Sequence, residues 1–289
     1  MREHCNHQSA GARLPPRPDI LIQRNCYRIV GENVTEENPA ARLHALFVKG
    51  RGILGKTPCR EAWMTMLDLK VGNEAVLLSR ISKVIALAED TRATMDREYS
   101  AHASSTKYWF DRASSFFSSM NLNGDWELFA NKMDSQAMSN LHFAVDLLVI
   151  RTVKAPTDDV VSEWREKINE LLSEILKSDA STSIRTPLVR YLQRIIIALD
   201  EYKICGTMPV VDAIATTLGR AGIDAQYNEE IQKTSLGKRV LSLLEGVSKA
   251  VAVAHALPDA YASVMAFYGM LRHETPSLPR PTSPDSTAT

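Results

Sequence analysis

Gly50-Arg51-Gly52-Ile53-Leu54-Gly55-Lys56-Thr57 places three glycines, a lysine and a hydroxyl at the spacing G-x-x-x-x-G-K-T. Such a loop can wrap a phosphate. Glycines let backbone N–H groups close on the oxygens, the lysine reaches the terminal phosphates, and the hydroxyl binds Mg2+. Ile195-Ile196-Ile197-Ala198-Leu199-Asp200-Glu201 supplies the matching acidic pair. After an apolar run, Asp200 would hold the Mg2+ and Glu201 would polarise a water. A second chemistry is spelled by Arg97-Glu98-Tyr99-Ser100-Ala101-His102. A histidine exchanges protons near neutral pH, and an arginine five positions before it stabilises phosphate charge, which together suit metal-free cleavage of RNA.

Over residues 50–57 and 195–201 the chain resembles the P-loop NTPases. That resemblance implies ATP or GTP with Mg2+ as cofactor, and Gly50, Gly55, Lys56, Thr57, Asp200 and Glu201 as the binding residues. It requires a buried strand before the loop and a parallel sheet around it. The surrounding pattern is helical instead. Asn38-Pro39 reads as a helix cap, Leu43, Leu46 and Phe47 form a helical face, and Pro58 removes an N–H where phosphates would sit. The main reading is therefore a turn between two helices, made by Gly50, Gly52 and Gly55 and ended by Thr57 as the next cap. The Arg97/His102 spacing is similar to that of HEPN-type ribonucleases. The resemblance implies a helical bundle whose two protomers join their Arg and His in one site.

The remaining candidates are weaker. His4, Cys5, His7 and Cys26 lack zinc spacing. Ala215 and Gly219 have the small-residue spacing of a DNA-reading helix-turn-helix, but too few basic residues accompany them. Lys107-Tyr108-Trp109-Phe110 with Phe116 and Phe117 could stack bases, yet without a basic run the cluster reads as a core plug or protein interface. No serine lies in a G-x-S-x-G elbow.

The elements that must position these residues are helices. Thr57-Pro58 and Thr186-Pro187 repeat the cap-and-proline signal, and Thr157 precedes the acids Asp158 and Asp159. Apolar stripes recur at steps of three and four. One runs Leu77, Ile81, Val84 and Ala88. A longer one runs Trp126, Phe129, Met133, Ala137, Leu141, Ala144 and Leu148, as for a single long helix. Others run from Val160 to Ile175, from Leu188 to Leu199 and from Leu236 to Ala254. The expected fold is all-α: a bundle or array of roughly eight helices over residues 36–272. It would be flanked by a flexible N-terminal arm (1–35), with extended segments near Ile20–Ile22 and Cys26–Val30, and by a proline-rich tail (273–289).

The 289 residues include 34 Lys+Arg and 34 Asp+Glu, with hydrophobic residues at 45%. Zero net charge argues against a dedicated nucleic-acid binder. Four scattered cysteines make no disulfide scaffold, which suggests a reducing, cytoplasmic setting. No stretch has the length of a membrane span, and Met1–Pro18 lacks the apolar core of a secretory signal. The expectation is a non-enzymatic interaction or regulatory subunit of a cytoplasmic multi-protein assembly, with a protein partner, no membrane, no metal and no cofactor. Homo-oligomers stay open. The nucleotide-binding and ribonuclease readings are the enzymatic alternatives.

Overall fold

The computed structural model describes residues 38–70, 73–149 and 156–255. The expected arm, its extended segments, His4, Cys5, His7 and Cys26, and the proline-rich tail lie outside them. The described chain is all-α. It forms α1 (Pro39–Arg51), α2 (Cys59–Met66), α3 (Glu74–Glu98), α4 (Ala103–Ser119), α5 (Glu127–Lys132) and α6 (Ser135–Val149). Then follow α7 (Asp158–Lys177), α8 (Thr182–Asp200), α9 (Tyr202–Cys205), α10 (Met208–Ile223), α11 (Ala225–Lys233) and α12 (Ser235–His255). Among the described residues there is no strand and no helix long and apolar enough to cross a membrane.

Among the described residues twelve helices stand where about eight were expected: one stripe is cut in two, and α4 and α9 to α11 lie outside the stripes read from the sequence. The stripe from Trp126 to Leu148 is two helices. Met133 leaves helical geometry, and Asp134 accepts the N–H of Ala137 at 2.8 Å to start α6. The stripe survives the break, since Trp126, Phe129, Met133, Ala137, Leu141, Ala144 and Leu148 are all buried. Thr186-Pro187 starts nothing. Helix α8 begins at Thr182 after Ser181, and Pro187 lies inside it. An N-cap and a proline are a start signal only where no earlier residue can begin the turn. Asn38 behaves as expected: its side chain accepts from Ala41 N at 3.0 Å, with Pro39 at the first helical position. Ala215 and Gly219 share the single helix α10.

The apolar stripes close on two cores. The first gathers α1 to α6, around Trp63, Trp109, Phe116, Trp126 and Phe129. The second gathers α7, α8 and α10 to α12, around Ile168, Leu192, Ile214, Tyr227 and Val240. The chain crosses back once. After α8 has packed in the second core, Ile204 of α9 is buried in the first, and its carbonyl accepts from Arg42 Nε at 3.2 Å. One backbone approach in the second core is very close. A Cβ on Gly237, at the start of α12, would lie 2.2 Å from the carbonyl oxygen of Ile231.

Helices α1 and α6 also bring two histidines together. The rings of His44 and His142 lie 4.9 Å apart, with Asp146 Oδ1 3.9 Å from His142 Nε2. Burial first, and the neighbouring His142 second, lower the pKa of His44 below its ordinary 6.5, while Asp146 acts the other way. The unfolded chain therefore takes up this proton at higher pH than the folded one. The stability contribution is complete above about pH 6.5 and is lost as pH falls from there through the lowered folded value. Urea unfolding followed from neutral pH down to about pH 5 should show a falling midpoint, and His44→Gln should flatten that fall. An unchanged slope in His44→Gln would contradict this account.

Candidate functional site

The glycine-rich segment opens inside a helix. Gly50 lies in the last turn of α1 and is buried. A Cβ there would sit 2.8 Å from Met66 Sδ and 2.9 Å from the Phe129 ring, so only glycine lets α1 settle on this aromatic core. The Gly50 carbonyl accepts the indole N–H of Trp126 at 2.8 Å, and the Thr57 carbonyl accepts the Trp126 N–H at 2.9 Å. Cys59 N donates to Gly124 O and Arg60 N to Leu122 O, fastening the segment to the turn before α5. The turn between two helices is as expected. Thr57 is not the cap, because Pro58 holds that position and no side chain bonds there. Lys56 is exposed on the turn.

The apolar run before Asp200 is helical, and both acids are taken up by cations. Glu201, just past the end of α8, is buried and receives Lys83 Nζ at 2.5 Å, with Arg80 Nε 3.8 Å away. Asp200 faces Arg165 at 3.0 Å and Arg80 at 3.9 Å. The segment 50–57 thus contacts α5 and the turn before it, whereas Asp200 and Glu201 contact α3 and α7. Around neither is there the sheet that a phosphate loop requires.

Arg97 and His102 fall on either side of the break at Tyr99. Arg97 ends α3 and pairs with Glu98 at 2.9 Å. His102 ends a 3-10 turn (Ser100–His102), and its ring stands edge-on to Phe143 at 5.1 Å. The aromatic run is a core plug: Trp109 and Phe116 are buried, and Phe116 packs edge-on to Trp126 and Phe129. Burial pushes the Cys59 thiol up to about 11 and raises that of Cys205, so neither is poised as a thiolate nucleophile. No group of three or more His, Cys, Asp or Glu suited to a metal occurs among the described residues.

A groove of about 920 Å³ lies over the charged network, bordered by the segment after α2, by α3, by α7 and by the α8–α9 corner. Its floor is Arg80, whose Nη1 donates to Leu67 O at 3.2 Å while Nε has no hydrogen-bond partner. Leu46, Leu69, Val76 and Ile197 give it apolar walls, and Ile197 is 55% exposed there. Two of its residues, Asp200 and Glu201, stand out in the sequence for a different chemistry; its further trace there is Arg80, a charge on the apolar face shared by Leu77, Ile81 and Val84. A buried arginine needs acceptors from another element, and the acidic end of α8 supplies them.

Set against known protein families, curated proteins and solved structures, the chain matches none of them.

Proposed function

We propose that this chain is a non-enzymatic helical interaction or regulatory subunit of a cytoplasmic multi-protein assembly, and that it holds a protein partner in the groove beside Ile197. The observation that carries this reading is the groove's make-up. An open cleft of about 920 Å³ has apolar walls and exposed cations, while its carboxylates are already engaged, Asp200 and Glu201 with Arg80, Lys83 and Arg165 and Asp68 with Lys49. Acids held in ion pairs offer no free base to a substrate, whereas an exposed aliphatic side chain in a concave site is a natural anchor for another protein.

Random peptides displayed on phage and selected on the full chain test it. The selected peptides should bind the native chain and weaken about tenfold or more on Ile197→Asp, a change at a half-exposed position that leaves the fold intact. Leu176→Asp, at an equally exposed leucine of α7 outside the groove, should leave binding unchanged. Binders indifferent to Ile197→Asp, or no binders at all, would overturn the reading.

A further inference from the structure

Charge in the groove is sorted by depth. The carboxylates of Glu201 and Asp200 are 10% and 26% exposed. Their cations stand further out, with Lys83 at 35% and Arg165 at 54%. Lys203, at 49% exposed and paired with the exposed Asp158 at 2.8 Å, and the exposed Lys70 lie on the same rim. The exposed carboxylate of the lining, Asp68, is turned to Lys49 of α1 at 2.6 Å. A ligand entering from solvent therefore meets Lys70, Lys83 and Arg165 before Asp200 and Glu201, while the exposed acids at the rim, Asp68 and Asp158, are paired with Lys49 and Lys203. Across the lining five cations stand against three carboxylates.

We infer that the occupant of the groove is an acidic, amphipathic protein segment: Asp or Glu side chains on its flanks and aliphatic side chains on the face that meets Ile197, Leu69 and Val76. The inference rests on the reading of the groove as a protein-docking site and names the chemistry of the partner. Arg165 presents a planar fork that can share its donors between Asp200 and a ligand carboxylate, and Lys70 adds a point charge beside it, with Lys203 nearby on Asp158. Opposite charges at such a rim steer encounter and reject basic segments. The attraction must fade as salt shortens the Debye length. The apolar walls retain the ligand once it has docked.

The peptides selected on the full chain answer this directly. Asp and Glu should be enriched among the binders, with aliphatic residues at helical spacing. Their affinity should fall at least about tenfold on the double substitution Lys70→Glu with Arg165→Glu. Both side chains are at the surface, and the helical spectrum and thermal midpoint of that variant check that it folds. Arg165→Lys, which keeps the charge, should retain most of the affinity. Binders that are lost on Ile197→Asp but show no acidic enrichment, or that ignore the charge reversal, overturn this inference while leaving the docking site standing. Binders that ignore Ile197→Asp overturn both. A single-stranded oligonucleotide bound with the same dependence on Lys70 and Arg165 would make the ligand nucleic acid and sink the proposal. So would a dimer of the chain that dissociates on Arg165→Glu, which would make the occupant a second copy.

Discussion

Replacing Trp126 with alanine should cost about 3–5 kcal/mol of folding stability, the range for deleting a fully buried large aromatic. Trp126 is wholly buried, stacked on Phe129 at 4.5 Å, and edge-on to Trp63 and Phe116 at 5.5 Å each. Its indole N–H also satisfies the buried carbonyl of Gly50. The alanine variant thus opens a cavity and removes one donor from the Gly50 carbonyl, which keeps the Ile53 N–H at 3.2 Å. Trp126→Phe separates the two effects. The ring contacts largely persist and the hydrogen bond goes, so the loss should be about 0.5–1.5 kcal/mol. Chemical denaturation at equilibrium reads both. A loss below about 1 kcal/mol for Trp126→Ala would mean that the glycine-rich segment is not held by this core.

Glu201→Ala should be the second most damaging change, at about 3 kcal/mol, the lower end for breaking a buried ion pair. Arg80 would keep the Leu67 carbonyl but, of its two carboxylates, only Asp200 at 3.9 Å, and Lys83 would lose its 2.5 Å partner. The lower end applies because Lys83 is half-buried and water can reach it. The position matters more than the energy. Arg80 and Lys83 belong to α3 in the first core, and Glu201 follows α8 in the second. Without the carboxylate, the two cores should lose part of their coupling. Denaturant unfolding should broaden, or split between a probe in the tryptophan-rich first core and one in the second. Coincident transitions with an unchanged midpoint in Glu201→Ala would contradict this.

The helical class was readable because every long element carries a stripe at the helical period, and packing followed the stripes. The breaks were not readable. Met133-Asp134 interrupts a stripe without interrupting its face, so apolar spacing alone is blind to it. Thr186-Pro187 has the residues of a start, but Ser181 and Thr182 take that role one turn earlier. The phosphate-loop spacing shows how motif and context part. Gly50 is required by contact with Met66 and Phe129, which lie 16 and 79 positions further on. No local pattern announces such contacts. The groove escaped for a related reason. Arg80, Arg165 and Glu201 are far apart in the chain; the two arginines each read as an ordinary helix charge, and Glu201 stands out only as part of an acidic pair after an apolar run. Only burial on the apolar face of α3 singles out Arg80.

The account places function in the groove and assigns the glycine-rich turn to structure. One photo-crosslinking comparison tests that division most directly. A photoreactive amino acid is introduced at Ile197, or at Leu54 in the glycine-rich turn, in the full chain within its own cells. Both side chains are exposed, Leu54 at 80%, so access does not favour the groove. The account predicts a discrete protein adduct from position 197 that disappears when Arg165→Glu is added, and none from position 54. An adduct from position 54 alone, or none from 197, would contradict it.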